Sequence, residues 1–220
     1  MRAALQEALY RKYPQIFRQR DLSPSESAIG RGIECADGWY PLLDGLCEVL
    51  SHHARDGDDM AVEAVQVKQK FGGLHFYFDG GCDHARGAVR MTMALSHRVC
   101  EETGRPGMLM TRNRWVRTLA EDVGRTHGYH PQRDVITESG GQDLVAEAAS
   151  VPCGWRAITA VLKDVVAEQA PFATLRFEHT DAALSVEIQN GTEWTRGAQD
   201  CARAFSTRTD PASGAMLVPT

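Results

Sequence analysis

The chain has 220 residues, 43% of them hydrophobic and 24% charged, which is ordinary globular usage and excludes a disordered chain. Its net charge of −5 argues against sequence-independent nucleic-acid binding by the molecule as a whole, because such binding rests on neutralising phosphates. No apolar run approaches the roughly 20 residues of a membrane span.

Residues 1–36 are predicted to hold a short helix and a loop. Leu5, Leu9, Ile16 and Phe17, with Tyr10 and Tyr13, suggest an amphipathic helix broken near Pro14, since proline cannot donate to the helix ladder. Arg2, Glu7, Arg11, Lys12, Arg18 and Arg20 leave no apolar stretch for a secretory signal. Ser23 to Gly32 reads as loop by composition.

Residues 37–104 read as a helix–hairpin–helix unit. Asp37 is expected to cap a helix with Pro41 in its first turn, and Trp39, Leu42, Leu43, Leu46, Leu50 and His53 recur at helical spacing. A polar loop, Arg55 to Asp59, ends it. Period-two alternation follows. Val65 and Val67 are expected to face inward with Leu74, Phe76 and Phe78, and the pair Gly72–Gly73 marks the turn between the strands. A second helix is predicted from Asp83 to about Cys100, with Ala88, Met91, Leu95 and Val99 on its apolar stripe.

Residues 105–150 read as a connecting segment. It has short strands near Met108–Met110 and Trp115–Leu119, a linker at Ser139–Gly141 and a short helix through Leu144–Ala149. Residues 151–220 then restate the first unit. Trp155, Ile158, Leu162 and Val166 fall where Trp39, Leu42, Leu46 and Leu50 fall, at an offset of 116 residues. Leu175, Phe177, Leu184, Val186 and Ile188 match the first hairpin at an offset of 110, as Arg196–Gly197–Ala198 match Arg86–Gly87–Ala88. The expected fold class is therefore α+β: two diverged helix–β-hairpin–helix units whose hairpins share an antiparallel sheet, with helices packed on one face.

Candidate chemistry is sparse. The outward face of the first hairpin presents Gln66, Lys68, Lys70, His75, Tyr77 and Asp79. Cations interleaved with an aromatic suit phosphate contact and base stacking, and they equally suit a solvated sheet face whose lysines discourage edge pairing. Asp83 and His84 with His75 and Asp79, or His127 with His130, match no metal-ligand spacing. No catalytic motif stands in the chain. The scattered cysteines, Cys35, Cys47, Cys82, Cys100, Cys153 and Cys201, include no C-x-x-C pair and are expected to be mostly buried free thiols of a cytoplasmic protein.

Tyr13-Pro14-x-x-Phe17, Gly32-Ile33-Glu34-x-x-Asp37-Gly38-Trp39 and above all Val67-Lys68-x-Lys70-Phe71-Gly72-Gly73-Leu74-x-Phe76-Tyr77 resemble a family of bacteriophage and prophage proteins without an assigned activity. The likeness continues through Cys100-Glu101-x-Thr103-Gly104-x-Pro106-Gly107, Trp115 and Thr118-Leu119, and covers about Leu9 to Tyr129. Many members of that family carry four positions resembling a zinc knuckle. Here Cys100 is kept, while Thr103, Ala120 and Val123 stand at the other three, so the resemblance implies a zinc-free branch. Its densest stretch, around Phe71, reads either as a tight turn with Phe71 tucked against a helix or as a loop presented to a partner.

Three functions stay open at this point. The first is a non-catalytic phage-type binding protein acting on a host or toxin protein, in an anti-defence or immunity-like role. Its binding residues would be Gln66, Lys68, Lys70, Phe71, His75 and Tyr77, with no catalytic residue, metal or cofactor. The second is a nucleic-acid-binding protein using the same hairpin face. The third is a small enzyme with an unrecognised site.

Overall fold

Helical spacing from Trp39 to Leu50, and the period-two pattern after it, set the architecture. A computed structural model describes residues 1–23, 25–53, 61–132 and 151–219. Its helices are α1 (Ala3–Lys12), α2 (Tyr40–His53), α3 (Asp83–Ser96), α4 (Glu121–Thr126), α5 (Arg156–Gln169) and α6 (Glu193–Ser206). Its strands are β1 (Glu63–Lys70), β2 (Gly73–Asp79), β3 (Met108–Arg112), β4 (Trp115–Leu119), β5 (His130–Pro131), β6 (Thr174–His179) and β7 (Leu184–Gln189). The protein is α+β, with all its ladders antiparallel. The Arg55–Asp59 loop, the Ser139–Gly141 linker and the Leu144–Ala149 helix lie outside the described residues.

Both units run in the same order: a 3₁₀ turn ending in tryptophan, a 14-residue helix, a hairpin and a second 14-residue helix. Their hydrogen bonds correspond as well. Trp39 Nε1 donates to the Val99 carbonyl at 2.8 Å and Trp155 Nε1 to the Thr209 carbonyl at 3.0 Å. The Leu74 amide donates to Ser96 Oγ and the Leu184 amide to Ser206 Oγ, each at 2.9 Å. A serine thus ties the start of the second strand to the end of the following helix in both units.

Among the described residues the expected shared sheet is not formed. β1–β2 and β6–β7 are separate two-stranded sheets, and β4–β3–β5 is a third. Helices take the place of strand pairing between the units: α3 crosses α6, α3 also lies against β2, and α6 against β7. The crossing is close because each helix offers a glycine. A Cβ at Gly87 would fall on the Trp194 carbonyl oxygen, and one at Gly197 on the His84 carbonyl oxygen. The two contacts are reciprocal under the 110-residue offset, as around a two-fold axis. One apolar core runs through both units, from Leu9 and Trp39 to Trp155 and Phe205.

Local expectations are amended at four places. Asp37 caps nothing with its side chain; it accepts from the Arg2 amide at 2.7 Å and pairs with the Arg2 guanidinium. The first helix ends at Lys12 and α3 at Ser96, each a little short of the expected end. In β1 a bulge after Ala64 leaves Val65 half-buried and turns Ala64 into the core beside Val67. Beyond the bulge the inward set is as the alternation predicts, with Val67, Leu74 and Phe76 buried.

Candidate functional site

The outward set of the first hairpin is real. Gln66 pairs with Tyr77 and Lys68 with His75 across the strands, so the four side chains share a face. His75 stacks on Tyr77 with centroids 5.9 Å apart, and Lys68 Nζ lies 5.5 Å from the Tyr77 ring centre. Burial, helped by Lys70 and Lys68, pulls the His75 pKa below its ordinary value. Gln66 faces Glu34, whose backbone bridges to β1 beside Lys68. The face is therefore a knit of internal partners.

Phe71 stands apart from that knit. It is not tucked against a helix: it is 75% exposed at the tip of the turn. Its φ is +53° and that of Gly72 is +81°, the pair of left-handed residues of a tight hairpin turn. Left-handed backbone is rare for a bulky residue and costs on the order of 1–3 kcal/mol. Lys70 Nζ lies 5.2 Å from the Phe71 ring centre.

The β3–β4 hairpin leans on this turn. Thr118 Oγ1 donates to the Gly72 carbonyl at 2.6 Å, Gln69 Nε2 donates to the Val116 carbonyl at 2.8 Å, and the Leu109 and Val116 side chains close on Gly72. Trp115, 74% exposed, and Met108, 43% exposed, lie at opposite ends of this hairpin's ladder, while Leu109, Val116 and Thr118 on its other face meet the turn. Of the large apolar side chains exposed among the described residues, Phe71, Tyr77, Met108 and Trp115 belong to these two hairpins.

Behind Trp115 lies a hollow of about 440 Å³ lined by Glu34, Gln69, Glu101, Val116, Arg117 and Tyr129, among others. Glu101 is buried, and its Oε1 accepts from Arg117 Nε at 2.6 Å. Its Oε2 is buried with no partner among the described residues. Burial raises the Glu101 pKa against the opposing pull of Arg117. Arg117 also reaches Glu102 at 2.7 Å.

Cys100 and Ala120 are buried in a small apolar cluster with Met110, Leu119 and Tyr129, and Val123 packs on it, while Thr103 is exposed. His127 pairs with Glu102 at 3.2 Å, and His130 is exposed in β5.

A second cluster, which sequence spacing did not indicate, lies at the seam between the units. His84 is not a solvated helix-start residue: it is 4% exposed, and its Nε2 lies 2.8 Å from Asp200 Oδ2. The His53 ring stacks on it, centroids 3.9 Å apart and nearly parallel. His53 Nε2 lies 3.1 Å from Cys82 Sγ and 3.7 Å from Glu193 Oε1. A cleft of about 510 Å³ opens beside the histidines, lined also by Glu48, His52, Asp200 and Arg203. Asp83 and His84 do not group with His75 and Asp79. Asp83 pairs with Arg86, and His75 belongs to the outer sheet face. The legible sign of a buried His84 was its alignment with Trp194, 110 residues on.

All six cysteines are free thiols; Cys35, Cys47, Cys100 and Cys201 are buried, Cys82 half-buried and Cys153 exposed. Among the described residues no helix is long and apolar enough to cross a membrane. Comparison with protein-family models, curated proteins and solved structures found no match.

Proposed function

We propose that this chain is a non-catalytic binding protein whose recognition surface is the exposed turn of the first hairpin, Phe71 with Lys70 and Tyr77, together with Trp115 exposed on the hairpin that leans on it. The observation that carries this reading is Phe71 itself. A phenylalanine three-quarters exposed, in a left-handed turn position that glycine or asparagine would fill without strain, is costly for folding and serves contact instead. Aromatic side chains ringed by polar groups are the usual anchors of protein interfaces. The resemblance to phage and prophage proteins adds a cytoplasmic host or toxin protein as the partner, held by occupation of its surface. Nucleic acid suits this surface less well, because Lys68 and His75 already engage Tyr77 and the whole chain is acidic.

The test is capture from a bacterial lysate by the parent and by Phe71→Asn/Trp115→Thr. Both side chains are exposed, so the variant should fold as the parent does, and asparagine is at ease in the left-handed turn. A protein retained by the parent and lost from the variant is expected. Equal capture by both would sink the reading. Salt-steep retention of single-stranded DNA that depends on Lys68 and Lys70 would replace it with a nucleic-acid function.

A further inference from the structure

We propose that His53, Cys82 and Glu193 form a binding site for one zinc-class divalent ion across the seam between the two units. One ligand atom from each, an imidazole nitrogen, a thiolate sulfur and a carboxylate oxygen, lies within 4.8 Å of the other two. Tetrahedral zinc holds such ligands at about 2.0–2.3 Å from the metal, hence roughly 3.3–3.6 Å from one another. The His53–Cys82 and His53–Glu193 separations, 3.1 and 3.7 Å, bracket that spacing. Mixed sulfur, nitrogen and oxygen donors favour zinc over magnesium or calcium. Three protein ligands leave a fourth position for water or a substrate atom, and His53 borders the seam cleft.

The same atoms could be read as a cysteine nucleophile with its base. That arrangement needs the third group on the opposite ring nitrogen, where it fixes the tautomer. Here Glu193 shares Nε2 with Cys82, so it is not that orienting group, and the three converge on a point. Convergence is what a metal requires.

Two further features support the site. Cys82 is the N-cap residue of α3, yet its side chain caps nothing. At the corresponding place in the second unit, Thr192 makes a capping box with Thr195. The thiol has forgone the local bond and points to His53 instead. The stack of His84 on His53, with His84 held by Asp200, fixes the plane of the ligating ring, as supporting residues do around metals. The corresponding residues on the other side of the seam, Gln169, Thr192 and Asp83, could not hold zinc, so a single ion per chain is expected.

Sequence spacing could not reveal this set, because Glu193 comes from the other unit. The inference departs from the expectation of no metal, which rested on the Cys100 positions and on short ligand motifs.

The test uses the full chain, loaded with zinc chloride alone and, in parallel, with cobalt chloride. Expected are one zinc per chain by elemental analysis and a raised thermal midpoint. The cobalt form should show thiolate-to-cobalt charge transfer in the near ultraviolet and the strong visible bands of four-coordination. Cys82→Ser should abolish the charge-transfer band. Glu193→Gln, at a half-exposed residue that leaves the fold intact, should lower zinc affinity by at least the roughly 10–100-fold that loss of a supporting contact costs. Cys153→Ser and Asp83→Asn should change neither. No stoichiometric zinc, a band that survives Cys82→Ser, or an affinity untouched by Glu193→Gln would overturn the site.

Discussion

At the scale of single residues, the inward positions of the first hairpin carry the stability. Phe76 is 3% exposed, so Phe76→Ala should destabilise by about 3–5 kcal/mol, the usual cost of removing a buried aromatic ring. Denaturant midpoints of parent and variant measure it directly, and coincident midpoints would show that Phe76 is not core. The sign at Phe71 is opposite, since relief of its left-handed backbone should leave stability equal or better. Alternation alone identified Phe76, Leu74 and Val67. It misassigned Val65 and Ala64, because a bulge inserts an unpaired residue and no pattern of side-chain polarity records that insertion.

Between elements, the decisive contact is the α3–α6 crossing. Alanine in place of a helical glycine ordinarily stabilises by about 0.5–1 kcal/mol. At Gly87 or Gly197 the added methyl would meet a carbonyl oxygen of the opposing backbone, which cannot yield without parting the helices. The clash should win, and each substitution should destabilise by about 1–3 kcal/mol, as overpacking does. Thermal unfolding of the two single variants checks this; a stabilised Gly87→Ala would mean that the helices are farther apart than described. The conserved spelling Arg-Gly-Ala in both units was visible in the sequence, but its meaning was not. A glycine that admits a partner's backbone looks the same as one that breaks a helix. For that reason the hairpins were expected to pair with each other, when the helices meet instead.

For the molecule as a whole, the seam is also bridged by charge. Arg208 of the second unit donates to Asp44 through Nε at 2.9 Å and Nη2 at 2.8 Å, and reaches Glu48 at 2.6 Å. Asp44 further accepts from Lys12 at 2.7 Å and from Tyr13 at 2.9 Å. Burial pushes the Asp44 carboxyl up, but the bonds from Lys12 and Arg208 outweigh it and hold the group below the usual aspartate range. A lowered native value means a contribution that is full above the unfolded aspartate pKa of about 3.9 and drains away as pH falls through the native value. Asp44→Asn should therefore cost about 3 kcal/mol or less at neutral pH, since Arg208 keeps Glu48, and the gap to the parent should close on acidification below about pH 4. Urea midpoints from neutral to acid pH measure it, and parallel curves would remove Asp44 from the account. The reciprocal glycine crossing has one more consequence. In an assembly of two identical chains every substitution at such a seam arrives twice, once on each side, and must suit both places at once. Here the two sides are spelled separately in one chain, so a change can be tried on one alone. One side can keep a threonine that caps its helix while the other spends the same position on a thiol, and the fold need answer for each only once.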